Sequence, residues 1–190
     1  MRRLLFLLLL SAGFLLSFVS TAQALRVAIV GDSHAQALGP RLAREYASRG
    51  YTVSAVVAEP GWSSHSYHEQ GTLRSRVGHI DVAVVILGGN HRRVHDDEYL
   101  EDVSWILDQL RAAGASTILW FGPLWASSPR YQERHRTTKD SQSTLIGGEV
   151  RWFDLYHSTR GYVLRRDGVH FSRGAYDRMV SNLFVPLLFP

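Results

Sequence analysis

The sequence contains no cysteine, which excludes disulfides and a cysteine-linked lipid anchor, so the folded chain must be held together by packing alone. It also lacks an HExxH or Cys-His framework for a metal, has no internal repeat, and shows no long apolar run after Val19 that would serve as a membrane span or a lipase lid. Charge of one sign is not concentrated anywhere: 21 basic residues face 17 acidic ones, and the two signs alternate through Arg41 to Arg49 and Arg92 to Asp102. A sequence-independent nucleic-acid binder needs a basic face or arm. None is visible, so nucleic acid is not an expected partner.

What is present first is an export pattern. Arg2 and Arg3 precede an apolar stretch from Leu4 to Val19, and Ala22-Gln23-Ala24 offers small residues to a signal peptidase. Residues 1–24 therefore read as a signal peptide and residues 25–190 as one domain, periplasmic or secreted, without stable membrane insertion after cleavage. An uncleaved anchor is the alternative, because the stretch is only slightly shorter than the roughly 18 apolar residues of a spanning helix.

Beyond it, apolar runs of strand length lie at Leu25–Val30, Thr52–Ala58, Ile80–Leu87, Ser116–Phe121 and Val150–Leu155. Most are continuous rather than alternating, as parallel strands covered on both faces are. Helical spacing separates them: Leu38, Leu42, Tyr46 and Ala47 share one face, Tyr99, Val103, Ile106, Leu107 and Leu110 another, and Tyr176, Met179, Val180, Leu183 and Phe184 suggest a closing helix capped by Ser172. Gly50 and Gly114 stand where helix C-caps belong. The fold class expected is a three-layer α/β/α domain around a parallel sheet of about five strands, with the functional site at the strands' carboxyl ends. Gly39-Pro40 is expected to kink the first helix and leave Ser33 on a short preliminary turn. The polar segment Ala126 to Ser143 reads as a long mobile loop beside the site.

Three short strings carry the chemistry. Gly31-Asp32-Ser33 follows the first run at a sharp turn that exposes a hydroxyl and aims helical amides at an incoming acyl group; the plainer reading is a capping serine. Gly88-Gly89-Asn90 ends the third run with a side-chain amide able to face an oxyanion, and Gly61, after the second run, adds a backbone N–H. Asp167-Gly168-Val169-His170 supplies an imidazole with a carboxylate three residues earlier, a spacing that lets the two meet in a turn.

In this order the strings resemble the SGNH hydrolases, also called GDSL-type esterases and lipases, over nearly all of the chain after residue 24. Ser33 matches the serine of the first block, Gly61 the glycine of the second, Asn90 the asparagine of the third, and Asp167 with His170 the Asp-x-x-His of the last. The resemblance implies a flavodoxin-like α/β/α fold, a catalytic triad of Ser33, His170 and Asp167, an oxyanion hole of the Ser33 amide, the Gly61 amide and the Asn90 side chain, and no cofactor or metal. Two departures stand out: His34 replaces the leucine after the serine, a variant similar to SGNH domains attached to polysaccharide acyltransferases, and His91 replaces the aspartate after Asn90.

Aromatic residues beside these strings, Trp62, Tyr67 and Trp125, together with His91, are the candidate substrate-binding residues. His65 with His68, and His91 with His95, have spacings that place two imidazoles on one side of a helix, though solvated or substrate-facing histidines are the reading preferred over a metal site. His34 and His91 are rival bases. Arg92 and Arg93 either attract an anionic substrate or are plain surface. The expected function is an exported serine esterase that removes acetyl or short acyl groups from a small molecule, a carbohydrate or a cell-envelope glycan. A lysophospholipase or lipase, a glycan O-acyltransferase, and a non-catalytic carbohydrate-binding protein are the alternatives.

Overall fold

The computed structural model describes residues 24–91 and 97–189. The expected export segment, Ala24 apart, lies outside the described residues, as do Arg92, Arg93 and His95. Five parallel strands form the sheet: β1 (Arg26–Gly31), β2 (Thr52–Ala58), β3 (Val82–Ile86), β4 (Thr117–Phe121) and β5 (Val150–Phe153), in the order β2-β1-β3-β4-β5. The long helices are α1 (Ser33–Ser48), α4 (Asp97–Ala112) and α5 (Pro129–Leu145), with shorter α2 (Ser64–Gln70), α3 (Leu73–Val77), α6 (Leu155–Ser158) and α7 (Arg173–Met179). The closing segment continues α7 through a π-helical turn, Val180–Phe184, into α8 (Val185–Leu188). Among the described residues no helix is long and apolar enough to cross a membrane.

Strand alternation divides the core in two. Ala28, Val30, Ala83, Val85, Ile118 and Trp120 point to the face covered by α2, α3 and α4, where Tyr67, Leu73, Val77, Val103, Ile106 and Leu110 meet them. Val27, Ile29, Val84, Ile86, Leu119 and Phe121 point to the other, against Leu38, Leu42 and Tyr46 of α1 and Tyr176, Met179 and Phe184 of the closing segment. Each central strand is therefore apolar on both sides, which is why its run is continuous. Strand order reverses at β1, so the loops leaving β1 and β3 part company there and open a crevice at the carboxyl edge.

Two local expectations are corrected. Helix α1 runs unbroken from Ser33 through Pro40 to Ser48, with Asp32 as its N-cap and Oδ1 accepting the His34 N–H at 2.9 Å. Gly39 explains the close docking that holds it, since a Cβ there would stand 2.7 Å from Val56 Cγ1. The polar segment after β4 is mostly the helix α5, beginning at Pro129 in the first turn, where a missing N–H costs nothing. Its buried stripe is polar: His135, Thr138 and Gln142 lie inward at helical spacing, and Gln142 Nε2 donates to Leu87 O at 3.0 Å.

Candidate active site

Each motif sits at the carboxyl end of a strand. Gly31 ends β1 against β3 so tightly that a Cβ on it would lie 1.9 Å from Ile86 O. The chain then turns, Asp32 N donates to Ile86 O at 3.3 Å, and Ser33 opens α1 with its side chain half-exposed. Gly88 and Gly89 leave β3 beside it. A Cβ on Gly89 would meet His135 Nε2 at 3.2 Å and Asp32 Oδ2 at 3.4 Å, so the loop passes between the nucleophile turn and α5 only because it carries no side chain there.

The base loop returns after α6 as a short antiparallel excursion, with a bridge between Leu164 and Phe171 and with Arg165 N donating to His170 O at 2.7 Å. Gly168, at φ +68°, makes its tip, and its carbonyl accepts the Ser127 N–H at 2.8 Å. This fixes His170 over α1. His170 Nε2 lies 2.8 Å from Ser33 Oγ, and His170 Nδ1 lies 3.0 Å from Asp167 Oδ2. Asp167 Oδ1 accepts the N–H groups of Val169 and His170 at 2.9 and 2.8 Å. Partial burial pushes the Asp167 carboxyl up, but those two amides and the imidazole outweigh it and hold the pKa at about 2.

Asn90 Nδ2 donates to Trp62 O at 3.1 Å, which fixes the amide plane and leaves its second N–H free to point elsewhere. Asn90, Gly61 and Ser33 line one cavity of about 310 Å³, with Asp32, His34, Pro60, Tyr131, His135 and His170 among its other walls. Burial raises Asp32 to about 6, opposed by the amides of His34 and Gly89. Burial lowers His34 to about 3, and its Nδ1 is 2.8 Å from the Tyr176 hydroxyl, so this rival base is tied into the packing behind the triad.

The expected substrate-binding residues are not brought to the cavity wall. Tyr67 is buried, with its hydroxyl 2.7 Å from Gly31 O and 2.8 Å from Val57 O, bracing the ends of β1 and β2. His91 is buried beside Tyr99, 4.2 Å between ring centres, with Nδ1 at 3.2 Å from Ser64 Oγ. Trp62 packs edge-on against Tyr67 beneath Arg76, and its carbonyl rather than its ring serves Asn90. Trp125 is half-buried, its backbone N–H given to Thr159 Oγ1 at 2.9 Å. Tyr131 and His135 line the cavity instead. Both belong to the segment read as a loop, and the available signal was Ser-Ser-Pro at 127–129 followed by polar residues at helical spacing. His65 and His68 both turn Nδ1 toward Asp102, at 3.3 and 2.8 Å. Among the described residues no group of three or more such side chains is arranged to hold a metal ion.

No protein-family model matches the chain, and neither does any curated protein. Solved structures do match. A lipase/acylhydrolase from Enterococcus faecalis superposes with TM-score 0.61 at 18% identity, over 86% of this chain and 94% of that one. This chain has the fold of the SGNH hydrolases. A GDSL-like lipase from Bacteroides thetaiotaomicron aligns at TM-score 0.60 and 15% identity over 86% and 87% of the two chains. An acetyl xylan esterase aligns at TM-score 0.61 and 15% identity over 85% and 99% of the two chains.

Proposed function

We propose that this protein is an exported serine ester hydrolase that removes acetyl or other short acyl groups from a carbohydrate or cell-envelope glycan through an acyl-enzyme. The observation that carries the reading is the unbroken chain from Ser33 Oγ through both nitrogens of His170 to Asp167, at 2.8 and 3.0 Å.

In this mechanism His170 Nε2 accepts the Ser33 proton as Oγ bonds to the ester carbonyl carbon. Asp167 orients the Nδ1–H and stabilises the imidazolium, a task suited to a carboxylate held ionised at about 2. The carbonyl oxygen, now an oxyanion, receives hydrogen bonds from the Ser33 and Gly61 N–H groups and the free N–H of Asn90; among the described residues neither backbone amide has another partner. Collapse breaks the bond to the alcohol oxygen, which leaves with the proton from His170 Nε2. Water then gives a proton to His170, attacks the acyl carbon, and releases the carboxylic acid as Oγ regains its proton.

Support for short acyl groups comes from the size of the cavity, about 310 Å³ and walled by Tyr131, His135 and Val169. Support for a glycan comes from the acetyl xylan esterase among the structural neighbours, and support for export from the pattern in residues 1–24. The test is a series of 4-nitrophenyl esters with the wild type and Ser33→Ala. Turnover that falls with acyl length, and fluorophosphonate labelling abolished in Ser33→Ala, are expected. A preference for long chains overturns the short-acyl assignment, and labelling that survives the substitution overturns the mechanism. Amino-terminal sequencing of the exported protein, expected to begin at Leu25, checks the leader.

A further inference from the structure

A second cavity, of about 270 Å³, shares Ser33, Pro60 and His170 with the first and is otherwise walled by Gln36, Ala37, Arg165 and Tyr176. Gly61 and Asn90 line only the first cavity, and Gln36 and Arg165 only the second. This division matters for the reaction just proposed, on which the present inference rests. The departing alcohol oxygen must collect its proton from His170 Nε2, so the alcohol part lies on the imidazole's side, away from the oxyanion donors. The second groove adjoins both Ser33 and His170 without Gly61 or Asn90 in its walls, which suits it to the alcohol part.

Its chemistry is set by one cation. Arg165 pairs with His170 across the antiparallel excursion, so its backbone is fixed relative to the base. Its side chain is exposed and, among the described residues, its guanidinium has no hydrogen-bond or ion-pair partner. Among the described residues Arg165 is the only arginine that lines this cavity, and Arg41 on the adjoining helix is paired with Asp177. The nearby Asp167 is already engaged by His170 and two amides. Gln36, on the exposed side of α1, adds an amide with both a donor and an acceptor.

We propose that this groove is the alcohol subsite and that it selects esters whose alcohol carries an anionic group, a carboxylate or a phosphate, held by the Arg165 guanidinium with Gln36 bonding a neighbouring hydroxyl. A planar guanidinium matches either oxyanion with two parallel hydrogen bonds. The substrate class narrows accordingly to acylated acidic sugars, uronates first, or acylated polyol phosphates.

The experiment compares kcat/KM for acetylated methyl glucuronate, acetylated methyl glucoside and acetylglycerol phosphate, in the wild type, Arg165→Ala and Arg165→Lys. The wild type is expected to favour an anionic ester over the glucoside by about 10- to 100-fold, the range that a charge-assisted hydrogen bond supplies. Arg165→Ala collapses that ratio toward one, and Arg165→Lys restores part of it. Preference for the glucuronate assigns a carboxylate, and preference for the glycerol phosphate assigns a phosphate. Equal rates on glucuronate, glycerol phosphate and glucoside in the wild type, or an Arg165→Ala loss of equal size on all three, overturn the subsite. Binding of glucuronate against glucose to Ser33→Ala, followed by calorimetry, reads the subsite without turnover. Absent fluorophosphonate labelling of the wild type with glucuronate binding still dependent on Arg165 sinks the esterase mechanism and leaves the subsite standing.

Discussion

Asn90 offers the sharpest separation of catalysis from folding. Its side-chain amide spends one N–H on Trp62 O at 3.1 Å and has one left for a developing oxyanion. Replacing it by alanine removes one of three proposed donors, and losing a single such donor costs about 2.7–4 kcal/mol of transition-state stabilisation, or roughly 10²–10³ in kcat. The folded state loses only a neutral, half-buried hydrogen bond, worth about 0.5–1.5 kcal/mol. Asn90→Ala should therefore lower kcat on 4-nitrophenyl acetate by two to three orders of magnitude while the urea midpoint moves little. Asn90→Asp should be no better, because it turns an acceptor and a negative charge toward both Trp62 O and the oxyanion. Steady-state kinetics and urea unfolding on the same preparations give both quantities. An Asn90→Ala enzyme within a factor of about three of wild type in kcat, or one whose stability falls as steeply as its rate, refutes the reasoning.

Asp32, raised from 3.8 to about 6 by burial, binds its proton more tightly folded than unfolded, so its contribution to stability is present at acid pH and lost as pH rises from about 4 through 6. The difference in unfolding free energy between Asp32→Asn and wild type should accordingly shift in the mutant's favour by about 2.4 kcal/mol between pH 4 and pH 7; parallel stability curves would contradict this. Gly31→Ala drives a Cβ to 1.9 Å from the Ile86 carbonyl and should cost more than about 4 kcal/mol, whereas Gly147→Ala, with nothing within 4 Å, should stay within about 0.5 kcal/mol, both read from urea denaturation. Gln142→Ala leaves the buried Leu87 carbonyl without its side-chain donor and should destabilise by about 1–3 kcal/mol; an unchanged melting midpoint would mean that the polar stripe of α5 does not hold that strand end.

How much of this was legible beforehand depended on whether the buried face of an element was apolar. Strands β1, β3 and β4 and helices α1 and α4 bury aliphatic and aromatic residues, and their periods mark them clearly. Helix α5 buries His135, Thr138 and Gln142, with His135 against the carbonyls of Leu124 and Gly89 and Gln142 against that of Leu87, so its inward stripe looks like a solvated one and gives Tyr131 and His135 no apolar signal. Pro40 argued locally for a break, yet the contact of Gly39 with Val56 and the burial of Leu38 and Leu42 keep α1 whole. A tyrosine or histidine beside a glycine loop can pack inward as readily as it faces a ligand, a choice no local pattern encodes: Tyr67 braces the Gly31 carbonyl and His91 meets the Ser64 hydroxyl.

The order of strands and helices, and the strings around Ser33, Asn90 and His170, follow from sequence because hydrophobic periodicity and turn-forming residues act over a few positions at a time. What only the tertiary structure decides is distance and exposure. Parallel pairing of β1 with β3 sets the Ser33 turn beside the Asn90 loop, and the Leu164–Phe171 bridge swings His170 to within 2.8 Å of Ser33. The same packing hides Tyr67 and His91, leaves Arg165 exposed, and sets Asn90 and Arg165 in two cavities that share the nucleophile. Side chains far apart in the chain share no local signal, and their meeting depends on how whole elements settle against one core.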